Sequence, residues 1–431
     1  MNSHPKVRFA LTGAAGGYAR TLLAQSALSK HVEPAVLCDR DTDKVFALCR
    51  ELGYSEHQLQ ICTPSEDLES IPDETIAIVP DLEMLINAQY EVLVEATGNP
   101  TAGTQVAREA LAHQRHVVMV SKEVESVSGV ELAEQARSLG VVYTPAHGDQ
   151  PANLIEWYER VTGWGLEVVA LGKSGEYDLI YSTSKATLSY LDREIPAPEM
   201  AELLDLGSNV QETLNRRAEL ATTLPRKAAA DYCEMAVVAS WTGTSADTES
   251  MHYPIARIQE LADIYSTRLE GGILNAHGIV DVFSALRVDG EASFAGGVFV
   301  VVRTHDSGTW EILRGKGHVV SRSGRFACLY LPYHLMGIET VETIFAASQG
   351  RAVSDRMPTS NVLLAGRAET DLPSGTVLHM GGHHHEVEGV LPVLLNTAEH
   401  PESAAAPLYA AAHNTLTRDV KKGALITSVD F

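Results

Sequence analysis

Val7-Arg8-Phe9-Ala10-Leu11-Thr12-Gly13-Ala14-Ala15-Gly16-Gly17-Tyr18-Ala19-Arg20, read on to Cys38-Asp39-Arg40, decides how this chain folds. Phe9 to Leu11 is a short apolar run with the pattern of a buried parallel strand, and beyond Arg20 the apolar residues Leu22, Leu23 and Ala27 fall at helical spacing. A second apolar run, Pro34 to Leu37, stops at Asp39. The three pieces make one βαβ unit whose first turn reads Gly-x-x-Gly-x-x-Ala. Gly13 lets the chain turn sharply, Gly16 lets a pyrophosphate approach the backbone, and Ala19 lets the helix lie close to the strand. The helix N-terminus adds open N–H groups and a partial positive charge. The loop residues Gly13, Ala15, Gly16, Gly17, Tyr18 and Ala19 are therefore expected to bind a dinucleotide. Asp39 favours NAD through a ribose hydroxyl, and Arg40 favours NADP through a 2′-phosphate. Alternatively, Arg40 is a solvated partner of Asp41 or Asp43.

Further strands are expected at Ile76–Val79, from Val92 to the glycine turn at Gly98, at His116–Val120 and at Val141–Tyr143, alternating with helices at Asp43–Leu52, Leu82–Asn87, after Pro100 and at Val130–Leu139. Asp81 and Asn99 stand where N-caps belong, and Pro100 suits the first helical position. The alternation predicts an α/β fold with an N-terminal Rossmann doubly wound parallel sheet. In such a sheet the turn Thr97-Gly98-Asn99 lies at the carboxyl edge, beside the cofactor. The expected division is a dinucleotide-binding domain over 1–145, an α+β substrate and oligomerisation domain over 146–352, and a small β-rich module over 353–431. That last module contains an internal repeat: Asp371-Leu372-Pro373-Ser374-Gly375 echoes Asp419-Val420-Lys421-Lys422-Gly423. Within the middle domain, a strand is expected at Leu166–Leu171, a helix at Ala228–Ser240 and a helix opening at Pro332. The stretch 177–224 reads as polar and helical in parts.

Bulk properties narrow the function. The 431 residues are 45% hydrophobic and carry a formal net charge of −23, which argues against phosphate backbones and anionic membranes as partners. No apolar run reaches membrane-spanning length, and the N-terminus has no secretory pattern, so a cytoplasmic protein is expected. The five cysteines form no Cys-x-x-Cys pair and read as reduced, buried thiols. A small-molecule substrate and a homo-oligomer are expected.

Five motifs in order carry a resemblance. These are the glycine turn, Val94-Glu95-Ala96-Thr97-Gly98-Asn99-Pro100, Gly148-Asp149-Gln150-Pro151-Ala152, Gly271-Gly272-Ile273-Leu274 and Pro332-Tyr333-His334-Leu335. The chain resembles the homoserine-dehydrogenase-like oxidoreductases with a C-terminal SAF (β-clip) domain, a group that includes the 1-deoxyxylulose 5-phosphate reductoisomerase-like enzymes. The resemblance implies an NAD(P)-dependent oxidoreductase. It also shows a departure: relatives carry a lysine one turn before the Glu of Glu234-Met235-Ala236, where this chain has Ala230.

Hydride transfer needs a donor beside the developing alkoxide and a positioned proton. Lys173, expected where a strand ends between Gly172 and Gly175, is the first candidate for that donor, with Lys122, Asp149 and Glu234 as the other catalytic candidates. Each has a plainer reading: a surface lysine for Lys173, a partner of Glu123 or Glu125 for Lys122, a helix cap for Asp149, a partner of Arg226 or Lys227 for Glu234. His147, His277 and His334 are candidates for substrate binding. The run His383-His384-His385-Glu386 is not expected to hold a metal, because neighbours on a strand point to opposite faces. The expected reaction is oxidation or reduction of a small polar hydroxy-carbonyl compound, such as a sugar phosphate. A reductoisomerase would add a divalent ion. The alternative is a non-catalytic dinucleotide sensor or scaffold.

Overall fold

The computed structural model describes residues 6–63, 68, 72, 74–382, 385–400 and 404–431. They fall into two compact units, one of residues 1–152 and 335–358 and one of residues 153–334 and 359–431.

The first unit is built on seven parallel strands: β1 (Val7–Thr12), β2 (Val32–Cys38), β3 (Leu59–Ile61), β4 (Ile76–Val79), β5 (Val92–Glu95), β6 (His116–Met119) and β7 (Tyr143–Pro145). Their order is β3-β4-β2-β1-β5-β6-β7, with β1 at the centre, where Leu11 pairs Leu37 on one side and Val94 on the other. This is the expected Rossmann-like parallel sheet, and its order reverses at β1. Phe9, Leu11, Leu22, Leu23, Val92 and Val94 are fully buried in its core. The helices start where their caps say: Asp41 accepts from Lys44 N–H (3.0 Å), Asp81 from Met84 N–H (2.8 Å) and Asn99 from Ala102 N–H (2.9 Å). The helix expected at Val130–Leu139 begins eight residues earlier and runs Lys122–Leu139. Serines 126 and 128 and Gly129 obscure its apolar spacing in the sequence. Helix Thr340–Ser348 packs Ile344 and Ala347 into this same core. The helix expected to open at Pro332 therefore starts later.

The second unit holds a ten-stranded sheet made of β8 (Glu167–Ser174), β9 (Leu179–Ser182), β10 (Thr187–Tyr190), β11 (Arg193–Pro196), β12 (Ser245–Ala246), β13 (Ile255–Ala256), β14 (Ile279–Val288), β15 (Val298–Arg303), β16 (Val319–Val320) and β17 (Phe326–Leu331). Its middle is β14-β8-β15, parallel on one side of β8 and antiparallel on the other. Two expectations are corrected here. The stretch 177–224 contains three strands before its helix Val210–Leu220, and β8 runs past Leu171 to Ser174, so Lys173 lies within a strand. The buried Arg217 ties the helix Val210–Leu220 to Glu260 by two hydrogen bonds of 2.7 and 2.8 Å. Helix Ala229–Thr242 is buried along almost its whole length, which its apolar composition requires.

Residues 359–431 belong to this second unit. Strands β18 (Val362–Ala368) and β21 (Val390–Asn396) pair antiparallel, and a shorter pair, β19 (Met380–Gly381) and β20 (Glu386–Val387), lies between them in sequence. The two copies of the internal repeat pair with each other reciprocally. Leu372 and Val420 exchange N–H···O bonds of 2.9 and 2.8 Å, Asp371 accepts from Lys422 N–H, and Asp419 accepts from Ser374 N–H, both at 2.9 Å. Gly375 and Gly423, at φ +89° and +80°, close the equivalent turns. All five cysteines are buried thiols, none of them in a disulfide. Among the described residues no helix is long and apolar enough to cross a membrane.

Candidate functional site

In the first unit a cavity of about 380 Å³ opens at the carboxyl ends of β1, β2, β4 and β5. Thr12, Gly13, Asp39, Arg40, Thr97 and Asn99 line it. Two chain reversals cross tightly here. Gly13 has φ +65°, and a Cβ on it would stand 2.3 Å from the Ala96 carbonyl oxygen. Gly16 occupies the N-cap of helix Gly17–Ser26 and makes no side-chain cap, and nothing lies within 4 Å of the Cβ position of Gly17. The helix end therefore offers its first N–H groups to an anion. Ala19 is fully buried against the strand, as its small size predicts. The Tyr18 hydroxyl pairs with Thr340 Oγ1, and burial raises its pKa.

The Asp39 carboxylate is largely engaged by backbone. Oδ2 accepts from Ala15 N–H (3.0 Å) and Oδ1 from Asp41 N–H (3.1 Å), so this residue fastens the glycine loop to the end of β2. Arg40 is exposed beside it.

Beneath the second turn lies a residue that the sequence reading missed. Glu95 is fully buried, its Oε1 accepting from Thr97 N–H (2.9 Å) and the Thr12 hydroxyl (3.3 Å). Burial raises its pKa. Gly103 leaves it room, because a Cβ there would stand 2.9 Å from the Glu95 carboxyl carbon. The signal was a carboxylate inside an apolar strand, Val92-Leu93-Val94-Glu95. Gly98 N–H donates to Ser121 Oγ (2.8 Å), and Asn99 is spent as the helix cap. Lys122 is the first residue of the following helix. His147 is held through its backbone N–H and Nδ1 by Thr343 Oγ1, both 3.0 Å. Asp149 accepts from Gln150 N–H (3.1 Å) at the start of helix Gln150–Gly163.

In the second unit the structure brings Lys173 and Glu234 together and adds Asp231. Lys173 on β8 is 2% exposed; its Nζ pairs with Asp231 Oδ1 at 2.7 Å and with Glu234 Oε2, both on helix Ala229–Thr242. Burial opposes the ammonium, yet the two carboxylates outweigh it and raise the Lys173 pKa. The expectation of a strand end at Lys173 is corrected, and Gly172 is closely packed: a Cβ there would meet the Asp281 carbonyl oxygen at 1.9 Å. The expected pairing of Glu234 with Arg226 or Lys227 is likewise replaced by the ion pair with Lys173.

The cluster continues outward. Asp231 Oδ2 accepts from the Tyr253 hydroxyl (2.9 Å), and the fully buried Asp281 on β14 accepts from His252 N–H (3.1 Å), Tyr253 N–H (3.4 Å) and Val282 N–H (2.7 Å). Burial pushes the Asp281 carboxyl up to about 6. His252 Nε2 faces Asp247 Oδ2 at 2.8 Å. Burial lowers the His252 pKa, but the bond to Asp247 and the charges of Asp281 and Asp247 leave it raised.

His277 and His334 do not join this cluster. His277 Nδ1 is 2.7 Å from Glu167 Oε1, and His334 Nδ1 is 3.2 Å from the Gly296 carbonyl. His383 and His384 lie outside the described residues. Among the described residues no group of three or more His, Cys, Asp or Glu could hold a metal ion.

Residues 148–340 match the family described as oxidoreductase DRL, catalytic domain, which supports an oxidoreductase. Solved structures similar to this chain include a dehydrogenase from Chromobacterium violaceum, 15% identical, covering 40% of this chain and 46% of that one with a TM-score of 0.30. A DOX-P reductoisomerase with fosmidomycin and magnesium is 17% identical over 56% of this chain and 58% of that one, TM-score 0.34. An oxidoreductase from Agrobacterium radiobacter in complex with NAD+, L-tartaric acid and magnesium is 12% identical over 80% and 88%, TM-score 0.40. The chain thus spans about half the length of the first of these. No curated protein matches the sequence.

Proposed function

We propose that this chain is an NAD(P)-dependent oxidoreductase that interconverts a hydroxyl and a carbonyl on a small polar compound, a sugar phosphate or hydroxy acid. The observation that carries the reading is the cleft at the carboxyl edge of the first sheet. There the Gly13 turn, the open helix end at Gly16 and the Asp39–Ala15 bond form a cradle shaped for a pyrophosphate and a ribose. NADP is the preferred cofactor in this reading. The Asp39 oxygens already accept from two backbone N–H groups, whereas Arg40 is exposed on the cleft and can meet a 2′-phosphate. When bound, the dinucleotide supplies the hydride donor or acceptor.

The chain's own residues divide the remaining work. Glu95 fixes the backbone of Thr97, and Ser121 fixes that of Gly98, so the turn that borders the cleft keeps its shape. Lys173, saturated by Asp231 and Glu234, acts as a positioning residue from inside the protein and does not touch substrate. No divalent ion enters this proposal. We also read the paired repeat of the C-terminal segment as an SAF-like module, and the protein as a cytoplasmic homo-oligomer.

The test is a screen of hydroxy acids and sugar phosphates followed by nicotinamide absorbance, with and without magnesium or manganese, beside calorimetric titration of NADP and NAD. Binding of NADP with turnover of one class supports the reading. Failure of both dinucleotides to bind overturns it.

A further inference from the structure

Tyr253 is a bulky residue held at φ +49°, and Met251, two positions earlier, has the same φ. Left-handed backbone is unfavourable for such side chains and persists only where its surroundings over-determine it. The surroundings here are explicit. Asp281 takes the N–H groups of His252 and Tyr253, and Asp231 takes the Tyr253 hydroxyl. Arg226 donates from Nη1 to the Tyr253 carbonyl (2.9 Å) and to Ser284 Oγ (3.1 Å). The ring of Tyr232 lies 5.8 Å away. Tyr253 is thus fixed at its hydroxyl, its N–H and its carbonyl.

One face of this fixed ring carries Lys227, whose Nζ stands 4.8 Å from the ring centroid. A phenol that donates to a carboxylate has a more electron-rich ring, which strengthens the attraction for a cation. Lys227 is exposed, and among the described residues no carboxylate forms an ion pair with it. It borders two cavities, of about 490 and 580 Å³. In the larger one Arg367 is already engaged by two hydrogen bonds to Glu249, both 2.9 Å. Glu369, Glu386 and Glu388 line the same cavity, above an apolar base that includes Val390 and Val393. Burial and the neighbouring Arg226 lower the Lys227 pKa, and an anion on the ammonium would offset both. The glutamates add acceptors suited to hydroxyl groups, and their repulsion leaves the Lys227 end of the cavity as the place for an anion.

We propose that Lys227 binds the anionic group, phosphate or carboxylate, of a polyhydroxy compound, with Tyr253 as the positioning residue beneath it and the glutamates accepting from the ligand's hydroxyls. This rests on the oxidoreductase reading in so far as that compound is its substrate.

The full chain, saturated with NADP, is titrated calorimetrically with glycerol 3-phosphate, with glycerate and with uncharged glycerol. The first two separate phosphate from carboxylate. At least one anion is expected to bind and glycerol is not. Lys227→Met should weaken the anion at least tenfold, and Lys227→Arg should retain part of the affinity. Tyr253→Phe should weaken it as well and shift the NMR resonance of the reductively methylated Lys227, a response that general loss of stability would not give. Binding by neither anion, or equal affinity in Lys227→Met, overturns the proposal. If NADP fails to bind while an anion binds through Lys227, the anion site stands and the oxidoreductase reading falls.

Discussion

Lys173 Nζ lies 2.7 Å from Asp231 Oδ1 with both side chains almost wholly removed from solvent. With Glu234 it forms one ammonium between two carboxylates. Removing a single partner from such a group leaves uncompensated buried charge. Lys173→Met is expected to destabilise the fold by roughly 3–5 kcal/mol, because Asp231 and Glu234 would then face each other unneutralised. Chemical denaturation measures it. A loss below about 1 kcal/mol, the range of exposed pairs, would refute the arrangement.

Gly16 offers a second test. A Cβ there would stand 3.1 Å from the Gly13 carbonyl oxygen, on the surface the pyrophosphate would approach. Gly16→Val should raise the dissociation constant for NADP at least tenfold, which is about 1.4 kcal/mol, with thermal stability little changed. Unaltered affinity by calorimetry would remove the cleft from consideration as the dinucleotide site.

Arg40→Ala separates the two cofactors. Loss of a charge-assisted contact to the 2′-phosphate should weaken NADP by about tenfold and leave NAD within about twofold. An equal effect on both, or an effect on NAD alone, would show that Arg40 does not choose the cofactor.

Asp281 predicts a pH dependence. Its folded carboxyl titrates near 6 against an ordinary value of 3.8, so the folded state holds a proton that the unfolded state releases between those values. Stability should therefore fall as pH rises from about 4 to about 6 and then level, by on the order of 3 kcal/mol for this group. Asp281→Asn keeps an acceptor for the backbone N–H groups and should flatten that window relative to the wild-type protein. His252, raised in the fold, adds a further fall above its ordinary 6.5. Parallel pH profiles of variant and wild type over 4–6 would exclude the assignment.

Local signals explain what the sequence revealed. Asp81 and Asn99 are caps because each side chain reaches an N–H three residues on, a rule that needs no tertiary knowledge. The glycine turn and the paired repeat were readable for the same reason. Strand β14 was not, because Asp281 and Ser284 interrupt its apolar run, and only the fold shows that they serve the backbone of residues 252–253 and the Arg226 side chain. The strands of 177–196 escaped because their outer positions are polar and their turns short. At the site, Asp231 and Glu234 stand three apart on one helix, a spacing visible in the sequence. Their shared partner, some sixty residues earlier on a strand, was not visible as such.

Helix Thr340–Ser348 lies far along the chain from the strands it covers. Thr340 and Thr343 grip His147, and Thr144 Oγ1 accepts from Val353 N–H at 3.0 Å. The N-terminal core therefore cannot be completed when residue 152 leaves the ribosome. At roughly 5–20 residues per second its missing helix follows about 10–40 s later, after the intervening segment has been made. Until then the apolar patch that receives Ile344 and Ala347 stays open to solvent. A nascent or truncated chain ending near residue 152 should expose that patch to chaperones, and co-expressing residues 335–358 in trans should cover it.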